Sequence, residues 1–240
     1  MMPRQATTLG LLLCDHVAPE LLDLAGDYDA MFRALFARHW PEAWLRVFDL
    51  PAGDFPESPN DCDGWITSGS RHSVNDPLPW IDRLAGFIRD CHAVNAPFTG
   101  ICFGHQMIGR ALGGSVARSP RGWGVGTRVA FPADHPPDAH PGGGTPVRLL
   151  YSHQDQIEHL PPGAATLAGN DHCPHAVIAC GSKMLGIQGH PEFTPAYARG
   201  LMLSRREKIP LDTVKAASPT FTEATDEETV IGWIRSMCHS

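Results

Sequence analysis

The stretch Gly100-Ile101-Cys102-Phe103-Gly104-His105-Gln106, GICFGHQ, places a cysteine between two glycines where an apolar run ends. The run Pro97 to Ile101 reads as a strand, and His105 to Leu112 reads as a helix. A cysteine at such a corner is either a nucleophile on a tight turn or a buried thiol in a glycine-rich bend. The nucleophile reading has a mechanical logic. Neighbours without Cβ let the backbone bend and the side chain stand clear, as in the G-x-S-x-G elbow. The helix that follows offers unpaired N–H groups and partial positive charge to a thiolate. In a chain with 24 glycines, G-x-C-x-G alone leaves both readings standing.

Outward from this corner the chain alternates. Thr8 to Leu13, Trp44 to Leu50 and Gly64 to Thr67 read as strands. Asp29 to Ala37 carries a helical face, and Pro79 to Val94 sets apolar residues at 81, 84, 85 and 88, the spacing of an amphipathic helix. This order predicts an α/β fold with a mostly parallel open sheet and helices on its faces. After Leu112 the segments are short, β-like and turn-bounded: 114–117, 125–131, 147–151, 164–168, 175–180 and 184–188. They are expected to extend the sheet or to build a small antiparallel addition. Pro132 to Pro146 is a Pro/Gly/His-rich loop, read as mobile, with Gly142 to Gly144 as flexible filler. Thr194 to Lys208 reads as a helix. A last helix is signalled by a capping box, Thr225-x-x-Glu228, followed by Val230, Trp233, Ile234 and Met237. No linker or repeat divides the chain, so residues 1–240 are read as one domain, with 203–240 as an added helical segment.

Composition removes several classes. The 240 residues carry 42% apolar side chains and a formal net charge of −7, which favours neither a nucleic-acid backbone nor an anionic membrane surface. No stretch approaches the ~18 apolar residues of a membrane span. Seven cysteines, an odd number without a CxxC pair, argue for a reducing, cytoplasmic setting rather than a disulfide framework. Among 13 histidines, the best metal candidate is His172-Cys173-x-His175, with His135 and His140 in the Pro-rich loop. Its spacing fits no zinc signature, so neither metal nor cofactor is expected.

A second stretch bears on the cysteine. In Gly186 to Phe193, GIQGHPEF, His190 and Glu192 follow a β-like segment. A histidine can take the thiol proton, and a carboxylate can hold its tautomer. Alternatively, Glu192 caps the helix beginning near Thr194. Together, GICFGHQ and GHPEF resemble the class I glutamine amidotransferases, which use a Cys-His-Glu triad. Ile66 to Ser70 is similar to the family's strand and oxyanion turn, and Ser152-His153-Gln154-Asp155 to its S-H-x-D segment. The resemblance spans about residues 60 to 195.

It implies a flavodoxin-like sheet with Cys102 as nucleophile, His190 as base and Glu192 as orienter. The backbone N–H groups of Ser70 and Phe103 would face the oxyanion. Gly69, Gln106, Ser152, His153, Gln154 and Asp155 would surround the glutamyl portion. Where the family commonly has two adjacent glycines, this chain has Gly69-Ser70, and a serine resists positive φ. The reaction implied is hydrolysis of a side-chain amide of glutamine or of a γ-glutamyl compound through a thioester. The chain holds no phosphate-loop motif of a synthetase. It therefore resembles stand-alone members such as γ-glutamyl peptidases, most visibly in Gly26 to Phe32 and in 152–164. A glutaminase subunit serving a synthetase partner, and a catalytically silent binding protein on the same fold, are the alternatives.

Overall fold

A computed structural model describes residues 7–134 and 140–240. His135, and the part of the Pro-rich loop read as mobile that spans 135–139, lie outside the described residues. The strands are β1 (Thr8–Leu13), β2 (Trp44–Asp49), β3 (Gly64–Thr67), β4 (Phe98–Ile101), β5 (Ser115–Arg118), β6 (Gly124–Pro132), β7 (Val147–His153), β8 (Asp155–His159), β9 (Ala164–Gly169), β10 (Val177–Cys180) and β11 (Met184–Ile187). The helices are α1 (Leu22–Ala25), α2 (Tyr28–His39), α3 (Pro79–Ala93), α4 (Phe103–Ala111), α5 (Pro195–Ser204), α6 (Leu211–Ala217) and α7 (Glu227–His239).

Nine strands form one sheet in the order β2-β1-β3-β4-β11-β10-β9-β6-β7. Strands β2 to β11 in that order run parallel, and every pair from β11 onward is antiparallel. β5 and β8 form a separate antiparallel pair. Of the segments expected in the second half, five extend the sheet, and 114–117 builds the small layer with β8, a strand the sequence reading did not include. The sheet curls at its far end, where His190 donates its N–H to the carbonyl of Leu150 on β7 (2.7 Å).

The alternation along β1 sorts the core into two layers. Leu9, Leu11 and Leu13 join a cluster with Phe32 and Phe36 of α2, Tyr197 of α5 and Trp233 of α7. Leu12 joins Trp65, Ile81 and Ile88 of α3 and Met107 of α4 on the other face. A strand buried on both faces carries apolar residues throughout, each stabilising by about 1.5–3 kcal/mol on full burial. All four apolar positions expected on α3, Ile81, Leu84, Ala85 and Ile88, are buried.

Two local expectations change. The capping box before α7 does not form. Asp226 stands at the N-cap, and its carboxylate accepts instead from the N–H of Arg148 (2.7 Å). Arg148 lies on β7, the last strand of the sheet, whose outer N–H groups need partners. Thr225 Oγ1 donates to Glu227 rather than reaching back into the helix. The glycines read as filler are partly packed: Gly142 is buried, with Leu167, Leu185 and Trp233 around it, and His140, two residues before it, is buried too. Among the described residues, no helix is long and apolar enough to cross a membrane.

Candidate active site

β4 ends at Ile101 and α4 begins at Phe103, so Cys102 alone makes the corner. Its φ of 49° and ψ of −95° lie outside the regions a side-chain-bearing residue favours, a conformation that costs about 1–3 kcal/mol and persists only where neighbours enforce it. The neighbours are identifiable. Cys102 N–H donates to the carbonyl of Ile187 at the end of β11 (2.8 Å), and its carbonyl accepts from Gln106 N–H (3.1 Å).

The flanking glycines serve a different purpose from the one the motif suggests. Neither has positive φ. A Cβ at Gly100 would strike the backbone of Gly104, and one at Gly104 would strike Thr67 Oγ1 on β3. The glycines let strand and helix approach, and the cysteine itself bears the bend.

β11 lies parallel to β4 with Ile187 opposite Ile101, so the chain leaving β11 passes beside Cys102. Three residues on, His190 Nδ1–H donates to Glu192 Oε1 (2.7 Å), with both side chains buried. That bond leaves Nε2 as the other ring nitrogen, on a ring that interacts with Cys102. Burial pushes the His190 pKa down, but the charges of Glu192 and Cys102 and their hydrogen bonds outweigh it and raise it to about 10. Phe193 stacks flat on the imidazole (3.8 Å between centroids, 6° between planes). On the remaining side, a Cβ at Gly69 would lie 2.9 Å from His190 Cε1. Glu192 does not cap the following helix. Thr194 does, its hydroxyl accepting from Tyr197 N–H (3.1 Å).

A cavity of about 390 Å³ opens over the cysteine. Ser70, Cys102, Phe103, Gln106 and the segment 152–155 lie on its wall, while Gly69, His190 and Glu192 sit behind. Phe103 opens α4, so its N–H is one of the helix's unpaired donors. Ser70 is not in the left-handed region, so the objection to serine at this turn falls away. Its hydroxyl accepts from His72 N–H (3.1 Å).

Gln188 escaped the sequence reading. It is fully buried, donates its side-chain N–H to Cys102 Sγ (3.4 Å), and accepts from Gln106 Nε2 (3.1 Å). Gln106 Nε2 also donates to the carbonyl of Asp155 (2.7 Å). The amide nitrogen of Gln106 is thus committed to the protein, leaving its oxygen as the remaining polar atom. A signal existed: a lone polar side chain ends the apolar run MLGIQ two residues before His190. His153 donates from Nδ1 to the carbonyl of Asp155 (3.1 Å), its Nε2 is buried without a partner, and burial holds its pKa at about 3. Ser152 Oγ accepts from Arg205 (3.0 Å), Asp155 accepts from Ser73 Oγ (2.8 Å), and the carbonyl of Gln154 accepts from Ser119 N–H (2.8 Å).

The family description "Glutamine amidotransferase class-I" matches residues 46–207, which contain β3, β4, α4, β11 and the site residues just described, while β1, α1, α2, α6 and α7 lie outside it. The chain belongs to the class I glutamine amidotransferases. Among its relatives, gamma-glutamyl peptidase 5 of Arabidopsis thaliana is 33% identical over 176 residues, covering 70% of this chain and 68% of that protein. The glutamine-hydrolyzing GMP synthase of Trichormus variabilis is 31% identical over 175 residues, covering 72% of this chain but 30% of that one. A solved glutamine amidotransferase from Thermotoga maritima superposes with a TM-score of 0.74 at 19% identity, covering 99% of this chain and 100% of that one. Such a likeness shows the shared fold.

In this member of the family all seven cysteines are free thiols. Burial pushes Cys62 up to about 11 and Cys91, Cys173, Cys180 and Cys238 up to about 12, with Cys14 higher still. Among the described residues, no three histidine, cysteine or acidic side chains converge as a metal site. His172 and His175 do not face a common point with Cys173; His175 Nδ1 is bonded to Thr166 Oγ1 (2.7 Å).

Proposed function

We propose that this chain hydrolyses the side-chain amide of glutamine or of a γ-glutamyl compound, with Cys102 as nucleophile, His190 as proton carrier and Glu192 as its orienter. The observation that carries the reading is the buried, hydrogen-bonded pair His190–Glu192 set beside Cys102, which itself lines the cavity. The Cys102 sulfur adds to the amide carbon. The oxyanion that forms meets the N–H groups of Ser70 and Phe103; removing such a donor costs ~10²–10³ in rate where measured. The C–N bond breaks as His190 Nε2–H protonates the departing nitrogen, leaving a thioester. Water then gives a proton to His190 and its oxygen to the carbonyl, and the C–S bond breaks to release glutamate. Gln188, bonded to the sulfur, orients the thiol. Gly69 keeps space for the imidazole, and Ser152 to Asp155 with Gln106 form the wall around the glutamyl group.

The test is glutamate release from glutamine and from γ-glutamyl peptides, with Cys102→Ala as the blank. Turnover that depends on Cys102 supports the reading, and turnover surviving in the variant ends it. The GMP synthase relative, matched over less than a third of its length, supports a second reading in which ammonia passes to a partner synthetase. A reactive Cys102 with no turnover of any γ-glutamyl compound would favour that one.

A further inference from the structure

The charges around the cavity do not follow those of the whole chain. The protein carries −7, yet the cavity wall bears Arg71, Arg118, Arg205 and Lys208 against Asp76 and Asp155. Arg71 is already neutralised from outside the cavity. Its Nε meets both oxygens of Asp15 (2.8 and 3.0 Å), and its Nη2 donates to the carbonyl of His16 (2.8 Å). Arg118 faces Asp155 at 3.9 Å. Asp76 accepts from Ser73 N–H (3.0 Å) and lies 3.3 Å from His72. Arg205 and Lys208 have no carboxylate partner among the described residues. Among the arginine, lysine and carboxylate side chains of the wall, Arg71 set aside, three cations face two anions.

A glutamine zwitterion has no net charge and leaves that surplus of one positive charge in place. A γ-glutamyl compound whose departing amine carries a carboxylate balances it. Arg205 is also held ready. It lies over the ring of Trp123 (5.7 Å), and its Nη1 donates to Ser152 Oγ (3.0 Å). Lys208 stands on the same turn, its N–H bonded to the carbonyl of Arg205 (2.8 Å), and the buried Ile209 anchors that turn to the core. This turn belongs to the segment 203–240, which the sequence marks as an added helical one.

We propose that Arg205 and Lys208 form an anion subsite for the amine side of the substrate, making γ-glutamyl amino acids and peptides with a free carboxylate the preferred class over glutamine. The proposal rests on the amide-hydrolysis reading above and specifies its substrate.

The experiment compares kcat/KM for γ-glutamyl-glycine and for its C-terminal amide, which differ by that one charge. Wild-type protein is expected to favour the acid about tenfold, the scale of one well-placed charge-assisted contact. Lys208→Gln and Arg205→Gln are each expected to bring the ratio toward one, chiefly through KM, and Lys208→Glu to invert it. A wild-type ratio near one, or a ratio unchanged in both glutamine variants, would overturn the subsite. Calorimetric binding of the same two compounds to Cys102→Ala keeps the two readings apart. Loss of turnover for every compound with the acid still bound more tightly would sink the hydrolase reading and leave the subsite standing. Equal binding of acid and amide would sink the subsite alone.

Discussion

Cys102 combines a strained backbone with a thiol that has lost its freedom to move: Ile187 holds its amide, Gln188 its sulfur, and His190 stands alongside. Replacing it with alanine removes the sulfur but keeps a Cβ at the same φ. The fold is expected to survive while amide hydrolysis falls to background, as circular dichroism and glutamate release would show. Because burial raises the other six thiols, Cys102 should alkylate fastest of the seven near pH 7, read by mass-spectrometric mapping. Glu192→Gln removes the charge that holds the proton on His190. The His190 pKa should then fall below about 10, and the basic limb of kcat/KM should move to lower pH. Stability follows the same sign. A histidine raised above its unfolded pKa contributes fully below about 6.5 and loses that contribution as pH rises through about 10, so His190→Ala should flatten the decline of stability across that window. At this scale the sequence was readable where the chemistry is local. Cys102 with its glycines and His190 with Glu192 announce themselves within a few residues. Gln188 does not, because its amide meets the sulfur only once β4 and β11 are paired.

At the scale of elements, the corner between β4 and α4 depends on close approach. Gly104→Ala pushes a methyl group into Thr67, whose hydroxyl also accepts from Ile101 N–H (3.1 Å). The substitution should destabilise by about 1–3 kcal/mol, the usual range for overpacking, and denaturant titration would measure it. Activity should fall further than stability, since the shift falls directly on the corner that holds Cys102. Strands and helices of the first half were legible because their apolar spacing is regular; β1, β3 and α3 begin where that spacing begins. The pairing of β5 with β8 was not, since about forty residues separate two short half-polar strands with no turn between them. The cap of α7 was misread because a local motif cannot foresee that Asp226 will be drawn to the unpaired N–H of Arg148 across the molecule.

Across the whole molecule, the last helix closes one layer of the core. Val230, Ile231, Trp233, Ile234 and Met237 of α7 are buried in the cluster that holds β1 and α2. Trp233→Ala should cost about 3–5 kcal/mol, visible as a lowered Tm, with the alkylation rate of Cys102 little changed in the folded protein. The alternation of strands and helices conveyed the parallel half of the sheet, but it could not convey that four antiparallel strands would continue it and curl back until Leu150 meets His190.

The placement of β11 between β4 and β10 also sets an order in time. As the chain is synthesised, the thiol emerges more than eighty residues before the histidine that is to serve it. Until then the open edge of β4 has no neighbour on that side. On the mechanism proposed above, a chain interrupted in this interval would hold a cysteine without its base and an oxyanion turn without its acid. On that mechanism activity requires the closing strand, and its recovery on refolding should therefore follow the slow formation of that long-range pairing rather than the earlier growth of helix.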